Sequence, residues 1–219
     1  MIYHTENKYK RLIHGVRRME IFKMNNKVKS DYRPVLEAIE ELLKKDKPVI
    51  VAIDGMCGSG KSYLASILAA TFDCNVFHMD DYFVPLEMKK EDRLAQPGGN
   101  VHYERFKEEV INSLVNNWTV TYRPYLCGLW RLGEEVVVEP KKLTIIEGTY
   151  SLHPELRNAY SITVFLSIDK NKQLERILER NGEEKLKQFI DKWIPLESLY
   201  FDHLGIPSLC DITLDTTNF

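Results

Sequence analysis

The sequence predicts one α/β domain with a mostly parallel sheet flanked by helices, and three observations support this class. The length of 219 residues fits a single domain with its own core. Short apolar runs rich in β-branched residues, such as PVIVAID at 48–54, are typical of parallel strands covered on both faces. These runs alternate with segments of helical periodicity, which implies right-handed crossovers between parallel strands.

The predicted elements begin with an amphipathic helix over residues 31–45, which carries acidic residues early and lysines late. The strand at 48–54 follows, and then a helix over 61–70. Residues 89–101 are too irregular for either kind of element. The remaining predictions are a strand at 74–80, a helix at 103–116, strands at 143–148 and 161–169, a helix at 170–180 and a strand at 211–215.

One stretch interrupts this alternation. Residues 119–139 form two extended segments around a turn that we place at residues 132–134. We therefore expect a β-hairpin that projects from the sheet.

Composition limits the classes of function. Hydrophobic residues make up 44% of the chain and charged residues 28%, and no apolar run approaches the roughly 18 residues of a membrane span. We expect a cytoplasmic protein without a membrane partner. The four cysteines lie far apart without a CxxC pair, so neither a zinc site nor a disulfide framework is indicated.

The first 30 residues differ from the rest in charge. They carry eight Lys or Arg residues against two Glu, whereas the whole chain has a net charge of −2. We interpret residues 1–30 as a basic leader without a packed core and residues 31–219 as the domain. A polyanion-binding arm and a transit peptide are the alternatives.

A glycine-rich motif stands between the strand at 48–54 and the helix at 61–70. Residues 55–62, GMCGSGKS, match G-x-x-x-x-G-K-[ST], and the flanking strand and helix are the context that this pattern requires. Glycines let the backbone approach a polyphosphate closely enough to aim N–H groups at it. The predicted phosphate-binding residues are Gly55, Gly58, Ser59, Gly60, Lys61 and Ser62.

Within this P-loop, Lys61 is placed to reach the β- and γ-phosphates, and the Ser62 hydroxyl is placed to bind Mg²⁺. The guanine-reading motif of GTPases and the signature motif of transport ATPases are both missing. A small P-loop kinase that uses ATP and Mg²⁺ remains, and it needs a base and a second metal anchor. Asp80 and Asp81 after one strand and Glu147 at the end of another are the candidates, since ligands bind at the carboxyl ends of parallel strands.

Five features of the chain are shared with a known family: the P-loop, the MDDYF segment at 79–83, the hairpin ending in EEVVVEP, the following EG and the FIDKWIPLESLYF segment. In these features the chain resembles the uridine kinase family, which is related to phosphoribulokinase and pantothenate kinase. The resemblance covers about residues 48–216. It implies a P-loop NTPase fold with a helical lid, and phosphorylation of uridine or cytidine at the 5′-hydroxyl in pyrimidine salvage.

The resemblance also implies roles for individual residues. Asp80 corresponds to the catalytic base and lies close to the metal, and Glu147 helps to hold Mg²⁺. Tyr122 corresponds to a hairpin tyrosine near the nucleoside. Arg176 and Arg180 resemble lid arginines that act on the phosphates, although an exposed, ion-paired helix face explains them equally well.

The acceptor side departs from the family. Arg123 stands where an acidic residue usually follows the hairpin tyrosine, and no histidine appears near residues 126–127. The loop that usually carries a ribose-binding aspartate offers Asn100 or His102 instead. The other lone histidines, His78 among them, are interpreted as packing or surface residues.

The sequence therefore predicts phosphoryl transfer to a small molecule and leaves two alternatives open. One is a kinase for a different acceptor, and the other is a regulatory or RNA-associated nucleotide-binding protein. We expect no nucleic-acid partner for the kinase, and the motifs leave homo-oligomerisation and the choice between ATP and GTP open.

Overall fold

The strands form one central sheet and a projecting hairpin. A computed structural model describes residues 31–219, and the elements below belong to that range. The strands are β1 (Val49–Gly55), β2 (Cys74–His78), β3 (Val120–Tyr122), β4 (Tyr125–Leu126), β5 (Arg131–Leu132), β6 (Val136–Val138), β7 (Leu143–Glu147), β8 (Ile162–Ser167) and β9 (Ile212–Asp215).

Helices cover both faces of the sheet. Two of them, α4 and α7, contain a π-helical turn between two α-helical segments. The helices are α1 (Arg33–Leu43), α2 (Lys61–Thr71), α3 (Glu91–Leu94), α4 (Tyr103–Phe106, Lys107–Ile111 and Asn112–Val115), α5 (Pro154–Arg157), α6 (Lys170–Asn181) and α7 (Glu183–Gln188, Phe189–Trp193 and Ile194–Leu204).

The central sheet has the order β2-β7-β1-β8-β9, and every pairing is parallel. All seven residues of β1 are buried, as expected of a central parallel strand. In register, Ile53 of β1 pairs with Glu147 of β7, and Glu147 pairs with His78 of β2. The carboxyl ends of these three strands therefore meet at one edge of the sheet, beside the start of α2.

The core has two parts, one on each face of the sheet. Val51 and Ile53 of β1 pack on one side with α1 and α2, and Ala52 packs on the other side with α4 and α7. Burial of each large apolar side chain contributes about 1.5–3 kcal/mol. This packing fixes the position of the edge at which the site is built.

Most predicted strands and helices are confirmed, with shifts of a residue or two at their ends. The strand predicted at 74–80 is too long, because it ends at His78 and Met79–Tyr82 form a 3₁₀ turn. The loop at 89–101 contains the short helix α3. No element was predicted from the sequence at residues 183–204, where the structure has the long helix α7.

The hairpin is confirmed, but its turn was placed wrongly. Strands β3 and β6 pair, and β4 and β5 continue the two arms, so the tip comprises residues 127–130. Gly133 lies in the returning arm, and its N–H donates to the Pro124 carbonyl at 2.8 Å. A Cβ at Gly133 would approach the Pro124 ring to 3.2 Å. This glycine therefore serves close approach of the two arms rather than the turn.

No helix within residues 31–219 is long and apolar enough to cross a membrane. The predicted basic leader at residues 1–30 lies outside the described range.

Candidate active site

The loop between β1 and α2 has a backbone that only glycine accepts at key points. Gly55 has φ +146°, and a Cβ there would lie 2.2 Å from the carbonyl oxygen of Leu166 on the neighbouring strand. Gly60 has φ +93° and caps the start of α2. Lys61 and Ser62 then open a helix of 11 residues, whose N-terminus favours an anion. The motif thus has the strand, loop and helix geometry of a phosphate cradle.

Side chains from two helices hold this loop from outside. Gln173 of α6 donates to the Cys57 carbonyl at 2.9 Å, and Arg176 donates to the Gly58 carbonyl at 3.3 Å. The buried Glu197 of α7 accepts the backbone N–H of Cys57 at 2.9 Å. Burial, and after it the Glu197 charge, raises the pKa of the Cys57 thiol to about 12. Cys57 is therefore a packing residue of the loop and not an activated thiol.

The Lys61 ammonium lies over the start of the loop. It donates to the carbonyl oxygens of Gly55 at 2.7 Å and Met56 at 3.0 Å. Both partners are neutral carbonyls, and Lys61 forms no ion pair with a carboxylate among the described residues. The positive charge of its ammonium group is therefore not neutralised by an ion pair. The side chain is thereby positioned beside the loop that would hold a polyphosphate.

Ser62 and Glu147 meet at the edge where β7 ends. The Ser62 hydroxyl lies 3.1 and 3.2 Å from the two carboxylate oxygens of Glu147. His78, at the end of β2, contacts the same carboxylate through Nδ1 at 2.6 Å. Burial is the largest single influence on the pKa of His78 and lowers it, but the hydrogen bond to Glu147 and the charges of Glu147, Asp81 and Asp80 together raise the pKa. His78 was interpreted as a packing or surface residue, and this contact corrects that interpretation.

Asp80 lies in the 3₁₀ turn directly after β2, and not on the strand as predicted. The residue keeps solvent access, yet protein atoms surround its carboxyl closely enough to desolvate it. This desolvation and, second, the Glu147 charge raise the pKa of Asp80, while Lys61 and Arg180 oppose the rise. Asp80, Glu147 and Lys61 are thus near enough for their charges to interact.

The side chains at this edge fit Mg²⁺, which prefers oxygen ligands and keeps several waters when it binds together with substrate phosphates. A hydroxyl from Ser62 and carboxylates from Glu147 and Asp80 are available there. Within residues 31–219 no group of three or more His, Cys, Asp or Glu side chains forms a closed metal cage. Ser62, Glu147 and Asp80 are therefore the side chains that would hold Mg²⁺ at this edge.

Two buried acidic residues near the loop were not predicted from the sequence. Asp54 ends the apolar part of β1 and accepts the backbone N–H groups of Gly55, Tyr150 and Leu152 at 2.7, 3.2 and 2.9 Å, and the Tyr200 hydroxyl at 2.9 Å. Burial raises its pKa to about 6. Glu197 is the second. Each is the only acidic residue in an apolar stretch, IVAID for Asp54 and IPLESLYF for Glu197. This isolation was the feature of the sequence that could have indicated a buried acid.

The two candidate lid arginines lie in different places. Arg176 donates to the carbonyls of Gly58, Thr216 and Phe219, so it ties the C-terminal segment to the P-loop. Arg180 is held by Asn181 at 2.7 Å and lies 5.8 Å from the Phe189 ring. Its charge acts on both Asp80 and Cys57. Arg180 is therefore the better placed of the two to act on a phosphate.

The predicted acceptor residues lie around the turn that carries Asp80. Tyr122 stacks on Tyr82 at 5.9 Å, and burial raises its pKa to about 12. His102 accepts the Arg105 N–H at 3.2 Å and caps α4, which is a structural role. Asn100 is buried, and Arg123 is exposed on the hairpin. The structure thus brings Asn100 and Tyr122 to this region, while Arg123 faces solvent.

Comparison with known proteins finds sequence similarity to several small kinases. It is 28% identical to uridine kinase of Lactobacillus helveticus over 153 residues, which is 65% of this chain and 72% of the relative. It is 25% identical to uridine kinase of Clostridium perfringens over 147 residues, 64% and 71% of the two chains. No family model matches.

Solved structures share the fold. One is described as a possible uridine kinase from Bacillus stearothermophilus, with a TM-score of 0.57, 19% identity and coverage of 83% of this chain and 100% of the other. Another, the YGR205w protein, has a TM-score of 0.56 at 16% identity and covers 86% and 93%. The chain thus has the P-loop NTPase fold, and its sequence resemblance to the uridine kinases is confirmed.

Proposed function

We propose that the protein is an ATP- and Mg²⁺-dependent kinase that transfers the γ-phosphate to a hydroxyl group of a small molecule. The observation that carries this proposal is the meeting of Lys61, the Ser62–Glu147 pair and Asp80 at one edge of the sheet. The relatives are named uridine kinases, so the 5′-hydroxyl of uridine or cytidine is the leading acceptor by resemblance.

In the proposed reaction the acceptor oxygen attacks the γ-phosphorus. A bond forms between them while the bond to the β–γ bridging oxygen breaks, and ADP leaves with that oxygen. Asp80 accepts the hydroxyl proton, and Lys61 with the loop N–H groups stabilises the polyphosphate charge. Ser62 and Glu147 would hold Mg²⁺, which supplies charge neutralisation at the phosphate oxygens when bound. Arg180 would stabilise charge on the transferred group.

The surroundings of Asp80 favour its role as the base. A carboxylate is most effective as a general base when its pKa lies close to the working pH. Desolvation and the neighbouring Glu147 both shift Asp80 in that direction. The nearby Lys61 and Arg180 keep its ionised form accessible.

The test compares Asp80→Asn with Asp81→Asn, its neighbour in the same turn. Steady-state ADP formation is measured with Mg-ATP, with and without uridine or cytidine, and ATP affinity is measured by calorimetry. We expect Asp80→Asn to lower kcat by roughly 10²-fold or more with ATP affinity largely retained, because the proton acceptor is lost while the P-loop is unchanged. Asp81→Asn serves as the matched control and retains most of the activity.

Normal turnover by Asp80→Asn would remove this residue from the role of base. Nucleotide binding by the wild-type protein without ADP release on addition of any acceptor would instead favour the nucleotide-binding regulatory alternative. Absence of Mg-ATP binding at millimolar concentration would overturn the kinase proposal itself.

A further inference from the structure

A small cavity lies between the turn that carries Asp80 and the long helix α7. Phe83, three residues after Asp80, lines one wall, and Trp193 lines the other, with 6.0 Å between their ring centroids. The next wall residue along α7 is Leu196, and its neighbour Glu197 binds the P-loop. The cavity is therefore bordered by elements that lead directly to the proposed base and to the phosphate loop.

The location agrees with an acceptor position. The Lys89 ammonium, which lines the cavity, lies 4.9 Å from the centre of the Trp130 ring at the hairpin tip, so the hairpin borders the cavity as well. The cavity itself has a volume of about 10 Å³, which is room for about one water molecule. Lys192 forms an exposed part of its wall, so the cavity borders solvent at that side chain.

Two lysines line this cavity, and no acidic side chain of the described residues does. Neither Lys89 nor Lys192 forms an ion pair within residues 31–219. Each ammonium instead lies 4.9 Å from the centre of an indole ring, that of Trp130 for Lys89 and that of Trp193 for Lys192. Burial lowers the pKa of Lys89, and the Lys192 charge adds to this effect. Two like charges without a compensating carboxylate favour an incoming anion.

A third candidate donor is the buried Asn100, which is also a lining residue of the cavity. The residue is 5% exposed, and its Nδ2 lies near the Tyr150 hydroxyl but makes no hydrogen bond of normal geometry within the described residues. A buried amide N–H without an acceptor costs stability that a ligand oxygen would restore. The cavity thus offers an unpaired donor and two cations.

We propose that the acceptor carries an anionic group, a carboxylate or a phosphate, in addition to the hydroxyl that is phosphorylated. Lys89 and Lys192 bind this group, Asn100 donates to one of its oxygens, and Phe83 with Trp193 packs against the carbon skeleton. The inference rests on the proposed function and narrows its acceptor. Uridine and cytidine are uncharged, so they would leave both lysines uncompensated.

The first experiment compares matched neutral and anionic probes. Ribose is paired with ribose 5-phosphate, panthenol with pantothenate, and uridine and cytidine are included. Binding is measured by calorimetry on the full chain with saturating Mg-ADP, so that the P-loop is filled and does not capture the probe. We expect at least one anionic probe to bind at least tenfold more tightly than its neutral partner, since hydrogen bonds to charged groups have about this effect. The two pairs distinguish phosphate from carboxylate.

The second experiment assigns that preference to the cavity. Lys89→Met and Lys192→Met are each expected to weaken binding of the preferred anionic probe by about 10-fold or more, and to leave the affinity for Mg-ATP within about twofold. Lys90→Met removes an exposed charge next to Lys89 and is the matched control. An equal loss in Lys90→Met, or no loss in Lys89→Met, would show that general surface charge attracts the probe and would overturn the inference.

The outcomes separate this inference from the proposed function. If Mg-ATP binds but the neutral probes bind as well as their anionic partners, or if uridine or cytidine binds most tightly, the anionic acceptor is wrong and the kinase proposal stands. If Mg-ATP does not bind, the kinase proposal falls and the inference built on it falls as well.

Discussion

Gly55 illustrates how one residue type determines the path of the phosphate loop. Its backbone lies in the left-handed half of conformational space, and the neighbouring strand β8 approaches it too closely for a side chain. The loop can leave β1 at this angle only because no Cβ is present. The fold therefore requires glycine at this position of the motif, whether or not a ligand binds.

Gly55→Ala is expected to lower the free energy of unfolding by about 2–3 kcal/mol, because the new methyl group meets backbone atoms of Leu166 and the residue is strained. Urea unfolding measures the change. Gly128→Ala at the hairpin tip is the control, since a Cβ there has no neighbour within 4 Å. Equal stability of the two variants would contradict the close approach of β8.

His153 makes stability depend on pH. It stacks on Tyr103 with 3.8 Å between ring centroids, and its Nδ1 accepts the Glu155 N–H at 3.3 Å, so the neutral ring is the form that fits. Burial lowers its pKa from 6.5 to about 4. The unfolded chain therefore binds a proton at a higher pH than the folded chain does, and this contribution to stability is complete above pH 6.5 and lost as the pH falls toward 4.

From pH 7.5 to pH 5 we expect wild type to lose about 2 kcal/mol of unfolding free energy through this one group. The unfolding free energy of His153→Gln should fall by about 2 kcal/mol less than that of wild type over the same pH interval. Urea unfolding at both pH values measures this difference. His203→Gln, at an exposed position of α7, should follow wild type. Parallel curves for wild type and His153→Gln would refute the role of His153.

At the scale of elements, helix α7 supports the P-loop. Glu197 accepts the Cys57 N–H, and the Thr149 hydroxyl lies 3.3 Å from its other oxygen and 3.1 Å from the Gly55 carbonyl. One buried side chain thus joins α7, the loop after β7 and the phosphate loop. Burial raises the pKa of Glu197, while the Lys61 charge and the hydrogen bonds from Cys57 and Thr149 oppose the rise.

Glu197→Leu should raise the dissociation constant of Mg-ATP by about 10-fold, since it leaves the Cys57 N–H buried without an acceptor. Glu197→Gln keeps an acceptor oxygen and should restore most of the affinity. Ser198→Ala, exposed on the same helix, controls for changes in α7 itself. The affinity for Mg-ATP is measured by calorimetric titration. Unchanged affinity in Glu197→Leu would show that Glu197 does not position the P-loop.

The hairpin and α7 also mark the limits of sequence interpretation. The tip includes Trp130 at φ +54°, a conformation that its side chain gives no reason to expect. The first segment of α7, EEKLKQ, has no buried residue, and the π-helical turn then shifts the phase of the apolar pattern. Helical periodicity therefore could not reveal the helix that supports the loop.

At the scale of the whole molecule, the parallel sheet brings distant parts of the chain to one edge. The sheet was predictable because each strand is a short β-branched run that needs burial on both faces. Asp80, Glu147 and the P-loop could be proposed from sequence because each directly follows such a run. The contacts of Asp54 and Glu197 could not, because they depend on helices and loops that local sequence does not position.

Removal of residues 1–24 should leave ADP formation within about twofold of wild type, because every residue of the proposed site lies within 31–219. The measurement is kcat and KM for Mg-ATP in the shortened and full chains. Replacement of the eight basic residues of segment 1–30 by Ser in the full chain separates charge from length. Loss of catalysis in the shortened chain would place the leader in the site.

Residues 192–197 of α7 have two neighbours at once, the cavity beside Phe83 and the loop at Cys57. If both substrates bind as proposed, a displacement of this turn by one of them would be transmitted to the position of the other. By thermodynamic linkage, the factor by which bound nucleotide changes the affinity for the acceptor equals the factor by which bound acceptor changes the affinity for the nucleotide. For the proposed kinase, this shared turn would be a structural basis for synergy between nucleotide and acceptor.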